Sequence, residues 1–313
     1  MAHAIVHTEF GGPEVLTLAE IPDPVPGEGE VAIRVEAAGV NPIDWKLRSG
    51  IRASAPLDRP RRVGFDGAGV VVSVGDGVDG LRPGDPVAFR DAAGSYATAV
   101  AVAASNVFVR LSGVTAAQGA ALGIPAGTAY QSLRSLGVRG GDTLLVHGGS
   151  GSVGQAAIQF AALWGARVLA TTSAGRAGRV RELGAEPIEY GPGLVGRVRA
   201  AAPDGVSVIL DAAGADEAIE ASLDLLPDRS RIATIVRGKD APGWGIRAFS
   251  GGGASALTPQ QVAWRVEAVP VALALMAVGR FSVEFGGSYR LEDAADAQRA
   301  SQDGAPGKLV LEP

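Results

Sequence analysis

Thr143-Leu144-Leu145-Val146-His147-Gly148-Gly149-Ser150-Gly151-Ser152-Val153-Gly154 is the stretch on which the reading of this chain turns. Its first five residues are apolar and β-branched enough to form a strand. Gly149-x-Gly151-x-x-Gly154 follows, and Val153 to Trp164 then has the pattern of a helix. Strand, glycine-rich turn and helix in that order form a dinucleotide-binding fingerprint. The first glycine makes the turn, the second lets backbone approach a pyrophosphate, and the third lets helix pack on strand. Ser150, Ser152 and Val153 complete the candidate loop, whose amides face an anion at a helix N-terminus. A tight turn with no ligand is the plainer alternative in a chain with 45 glycines.

Outward from this loop the texture alternates. Arg167 to Thr171 reads as a strand and Arg176 to Leu183 as a helix closed by Gly184. Val206 to Asp211 and Arg231 to Val236 read as strands on either side of a helix from Asp216 to Leu226. Such alternation predicts βαβ units, so an α/β, doubly wound parallel sheet of Rossmann type is expected over residues 124–255. The preceding segment shows short alternating runs broken by Gly and Pro, an all-β pattern, with one short helix expected from Thr115 to Leu122. After Gly251-Gly252-Gly253, Thr258-Pro259 opens a long apolar helix that Gly279 stops. The tail, ending in a strand at Lys308 to Leu311, is too short to bury a core alone. It is expected to complete the first domain, giving a β-rich domain from 1–123 and 256–313 around the 124–255 insertion.

Composition narrows the function. A length of 313 residues suits two cores, and 47% hydrophobic with 19% charged residues suits packed interiors. A net charge of −5 provides no basic field for nucleic acid. The apolar runs fall short of the roughly 18 residues a membrane span needs, and no signal core opens the chain, so a cytoplasmic protein is expected. Cysteine is absent, and the three histidines, His3, His7 and His147, have no zinc-site spacing, so no metal is expected. In a site for NAD, an acid about 20 residues beyond the loop would bind the ribose hydroxyl. Thr172-Ser173 stands there instead, with Arg176 and Arg179 close behind, which favours NADPH. Those arginines equally fit a solvated helix face.

Further motifs surround the loop in order: Gly39-Val40-Asn41-Pro42-Ile43-Asp44, Gly64-Phe65-Asp66-Gly67-Ala68-Gly69, Pro83-Gly84-Asp85-Pro86-Val87, Gly127-Thr128-Ala129-Tyr130 and Gly307-Lys308-Leu309-Val310-Leu311. Together they resemble the zinc-independent quinone oxidoreductase branch of the medium-chain dehydrogenase/reductase superfamily, over nearly the whole chain. The resemblance implies a GroES-like domain built from both chain ends, an inserted Rossmann domain, a cleft at their junction and a homodimer. It places Asn41 and Phe65 where the zinc-dependent branch has ligands. It implies that Asn41, Asp44 and Thr128 line the nicotinamide and substrate end, and that Ser173, Arg176 and Tyr190 surround the 2′-phosphate. Local roles compete with these: Asn41 as a turn former before proline, Asp44 as a cap on the turn into Trp45-Lys46-Leu47, and Thr128 as a helix cap.

Without a Lewis acid, hydride transfer is easiest to an acceptor that spreads the resulting charge itself. A quinone or an α,β-unsaturated carbonyl is therefore the expected substrate. Asn41 or Thr128 would donate to the developing oxyanion, and water, Tyr96 or Lys46 would supply the proton. A reductive cyclase or double-bond reductase of a secondary-metabolite pathway, and a non-catalytic NADPH-binding sensor or structural protein, are the alternatives.

Overall fold

The structure is a computed structural model that describes residues 1–52, 54–249 and 256–313. The Gly251-Gly252-Gly253 run and the expected boundary at 255 lie outside the described residues. The chain divides into two compact units, Met1–Ile124 with Val269–Pro313, and Pro125–Ala268.

In chain order, the first unit begins with β1 (Ala2–His7), β2 (Thr17–Ile21), β3 (Glu30–Val40), α1 (Pro42–Arg48), β4 (Arg61–Arg62) and β5 (Asp66–Val74). It continues through β6 (Pro86–Phe89), β7 (Ala99–Ala103), β8 (Val107–Val109) and α2 (Ala116–Ala120). The helix α2 starts as expected at Thr115, whose hydroxyl accepts from the Gln118 amide. The sequence reading places no helix at α1, where Gly, Asn and Pro suggest only a turn. Its start is nonetheless fixed chemically: Pro42 occupies the first turn, and the Asp44 carboxylate takes the Asn41 amide at 2.8 Å.

The second unit alternates strand and helix: α3 (Gly123–Ser135), β9 (Thr143–His147), α4 (Ser152–Leu163), β10 (Arg167–Thr172), α5 (Ala177–Glu182), β11 (Glu186–Glu189) and α6 (Leu194–Ala201). Then come β12 (Val208–Asp211), α7 (Asp216–Leu225), β13 (Ile232–Thr234), α8 (Ala241–Trp244) and β14 (Arg247–Ala248). All six strands pair in parallel, in the order β11-β10-β9-β12-β13-β14. The order reverses direction between β9 and β12, the switch point where open α/β sheets bind ligands at their carboxyl ends. Leu145, Leu169, Ile209 and Ile232 carry the core of this sheet. Being buried on both faces, its strands read as continuous apolar runs. The helix expected from Arg176 to Leu183 is shorter: a 3-10 turn over Ala174–Arg176 precedes it, so Arg176 sits at the start of α5 and not along its face.

The long helix α9 (Pro259–Ala277) opens on Thr258 as expected. β15 (Phe285–Arg290), α10 (Ala294–Gln302) and β16 (Lys308–Glu312) close the first unit. There β16 pairs antiparallel with β3, joining the tail to a seven-stranded sheet over a core that includes Val31, Val71, Phe89, Leu309 and Leu311. Among the described residues no helix is long and apolar enough to cross a membrane.

Candidate dinucleotide site and a buried polar cluster

The glycine-rich loop leaves the carboxyl end of β9 at the switch point. Its left-handed residue is Gly148, with φ +78°, one position before the Gly149 that opens the motif. A Cβ on Gly149 would lie 2.6 Å from the Ala170 methyl, and one on Gly154 would lie 2.2 Å from the Gly148 carbonyl oxygen, so both are demanded by close approach. Gly151 differs. Its φ is −76° and a Cβ there would meet only the Gly148 oxygen, at 3.5 Å. Neither its backbone conformation nor a contact among the described residues calls for glycine. Gly151 is also the N-cap of α4 and supplies no side-chain cap, leaving the first-turn amides open to an anion.

Behind the loop, Gln155 donates to the Ser150 carbonyl at 2.9 Å, and the Arg176 guanidinium approaches the same oxygen at 3.5 Å. Arg179, the other candidate phosphate cation, donates to Gln155 at 3.1 Å and pairs with Glu182. Parallel pairing sets Thr172 beside Glu189, so Ser173 and Tyr190 leave adjacent strand ends. Tyr190 is 58% exposed. Under the loop His147 is fully buried with no partner on either ring nitrogen, and burial lowers its pKa to about 4 against a smaller upward pull from Asp211.

In the first unit the structure brings Asn41 and Asp44 into a cluster with Asp66, Tyr96 and Lys308, residues that the sequence reading names separately and does not connect. The Asn41 amide nitrogen donates to Asp66 at 3.0 Å and to the Gly39 carbonyl at 3.3 Å, while its oxygen accepts from the Lys308 ammonium. Asp66 also accepts the Ile124 amide at 2.7 Å. The Tyr96 hydroxyl donates to Asp44 at 2.9 Å. Arg48, wholly enclosed, donates to Gln298 at 2.7 Å and to the Gly11 carbonyl. Asn41, Asp44, Asp66, Tyr96, Gln298 and Lys308 are all buried. Both amide hydrogens of Asn41 are engaged within the protein, which leaves none for a substrate oxygen. Thr128 belongs to the other unit, in the interior of α3 and so not as its cap, and is also buried.

Burial pushes the Asp44 carboxyl up to about 7, against the pull of the Asn41 amide, the Tyr96 hydroxyl and the Lys308 charge. Unfolded, the group returns to about 3.8, so the folded state holds the extra proton between these values. Its contribution to stability is full below the lower value and is lost as pH rises to the upper. His147 acts oppositely: its unfolded value of 6.5 exceeds its folded one, so its contribution rises with pH from about 4 to 6.5. Asp44→Asn removes the first slope alone. The stability of the variant relative to wild type is therefore expected to climb between pH 4.5 and pH 7 in urea titrations; a flat difference would refute the assignment.

No three His, Cys, Asp or Glu side chains converge as a metal site among the described residues. With no Cys in the chain, the donor set does not fit a zinc held in the manner of alcohol dehydrogenases.

Residues 27–131 match the alcohol dehydrogenase GroES-like domain, and residues 152–242 match the zinc-binding dehydrogenase family. Human quinone oxidoreductase is 43% identical over 166 residues, 52% of this chain and 50% of its own. The aligned segment thus spans about half the length of the curated relatives it matches. A mycobacterial quinone oxidoreductase structure is 31% identical, with a TM-score of 0.81 and complete coverage of both chains. The Escherichia coli quinone oxidoreductase, solved in complex with NADPH, is 26% identical with a TM-score of 0.83, covering 99% of this chain and 100% of its own. The glycine-rich loop at the switch point, the β-rich first unit closed by the tail and these likenesses agree: the chain belongs to the quinone oxidoreductase-like branch of the medium-chain dehydrogenase/reductase superfamily.

Proposed function

We propose that this protein is an NADPH-dependent oxidoreductase that reduces a quinone or an α,β-unsaturated carbonyl without a metal. The observation that carries the reading is Gly151: a glycine needed by neither fold nor packing, at the uncapped start of α4. Bound NADPH supplies the hydride. Gly149, Ser150, Gly151, Ser152, Val153 and Gly154 would hold its pyrophosphate, and Ser173, Arg176 and Tyr190 its 2′-phosphate. The NADPH complex of the Escherichia coli relative supports the choice of cofactor. Residues 1–123 with 256–313 are proposed as the catalytic domain and 124–255 as the dinucleotide-binding domain, in a cytoplasmic homodimer.

Asn41, Asp44 and Thr128 remain the proposed catalytic set, with roles divided by their geometry. Thr128 offers the hydroxyl donor for the substrate oxygen. Asn41 and Asp44 serve by fixing the start of α1. Among the expected proton sources, the Tyr96 hydroxyl is buried on Asp44 and its pKa is driven well up by that burial and by the Asp44 charge. Lys46, on α1, is half-buried, with its pKa lowered by burial and by Arg52. Its ammonium, with the lowered pKa, is the proposed proton donor.

The test is Gly151→Val, whose side chain projects into the open space. NADPH affinity is expected to fall at least about tenfold, roughly 1.4 kcal/mol, with the melting temperature unchanged. Unaltered NADPH binding in a folded variant would end this reading. Paired assays of NADPH oxidation with quinones and enones then identify the acceptor.

A further inference from the structure

The turn after β11 is held more firmly than its exposure suggests. Arg197, on α6, donates through Nε to the Glu189 carbonyl at 2.9 Å, and through its two terminal nitrogens to the carbonyls of Pro192 and Gly191, both at 2.8 Å. Glu217, in the first turn of α7, accepts the Gly191 amide at 3.1 Å. The backbone on both sides of Tyr190 is thereby pinned, although Gly191 and Gly193 have φ of +101° and +86° and the turn lies at the surface. A planar guanidinium matches three carbonyls with little further loss of freedom, which an ammonium on a flexible stem does not reproduce. The result is a large ring left facing solvent on a backbone that cannot wander. No packing need of the core explains fixing it. Its neighbour across the strand ends is Ser173, set there by the Thr172–Glu189 register.

We propose that Arg197, seconded by Glu217, is a positioning residue for the 2′-phosphate subsite. By fixing the Tyr190 turn beside Ser173, it makes selectivity for NADPH over NADH depend on a side chain acting through that turn. This rests on the NADPH reading above and deepens it. The three guanidinium bonds also turn the carbonyl oxygens of Glu189, Gly191 and Pro192 toward Arg197, so their negative ends are neutralised near a site meant for a dianion.

Direct binding of NADPH and of NADH, by calorimetry or fluorescence, tests it in wild type, Arg197→Gln, Arg197→Lys and Glu217→Gln, each with its melting temperature. Both Arg197 variants are expected to weaken NADPH about tenfold and leave NADH within about twofold. Glu217→Gln, which keeps the fold should the arginine variants fail to, is expected to weaken NADPH about threefold. Wild-type behaviour in Arg197→Lys would show that charge and not the carbonyl clamp matters, and would overturn the inference. Equal weakening of both cofactors would overturn it too, as a mere loss of structure. A wild-type protein without preference for NADPH would instead defeat the cofactor reading, and the inference with it.

Discussion

Methionine in place of Lys308 is expected to lower the unfolding free energy by about 3–5 kcal/mol, the range for breaking a buried charge pair from one side. The ammonium is buried, bonded to Asn41, and close enough to Asp44 and Asp66 to lower both carboxyl pKa values against their burial. Removing it raises both carboxyl pKa values further, so that each must take up a proton or hold its charge uncompensated, and leaves the Asn41 oxygen without a donor. Methionine fills much the same volume, so the loss reports charge and hydrogen bonding more than a cavity. Adding Asp66→Asn is expected to restore a large part of the loss, because the neutral amide needs no counterion. Denaturant titration of both variants decides the matter: a cost under about 1 kcal/mol, or no recovery in the pair, would show that the ammonium is not what balances the cluster.

Gly154→Ala is the second large effect. The added Cβ would stand 2.2 Å from the Gly148 oxygen and 2.8 Å from the Gly149 Cα, both backbone atoms. Neither can rotate away, so the loop must shift off the end of β9. We expect about 1–3 kcal/mol of destabilisation, the usual cost of overpacking, and loss of detectable NADPH binding. The contrast with Gly151→Val is the informative part: one variant fails in both melting temperature and binding, the other in binding alone. Equal NADPH affinity in Gly154→Ala and wild type would mean that the loop does not cradle the dinucleotide.

The second unit was legible because its signals are local. The apolar run from Thr143 to His147 is buried on both faces, and α4 follows within five residues of it. β11 and α6 escaped because Pro187 and the polar ends of Glu186–Glu189 hide the strand, and Leu194–Ala201 carries two arginines in eight residues. α1 was legible in principle, since Asn41-Pro42-Ile43-Asp44 has a cap, a first-turn proline and an acid at the third helical position. The buried cluster was not. Asn41 meets Asp66 across 25 residues and Lys308 across 267, and no periodicity or spacing links positions that only sheet pairing unites. A lysine beginning a strand looks like an edge charge until β16 is laid against β3.

That pairing bears on the order in which the chain acquires its structure during synthesis. β3 finds β5 and β7 early, but its partner β16 begins at residue 308. The segment Pro125–Ala268 is contiguous and has all six of its strands before β16 emerges from the ribosome. Until then the nascent first unit carries Asn41, Asp44 and Asp66 without their ammonium, and the Ala38–Val40 end of β3 without its β16 partner.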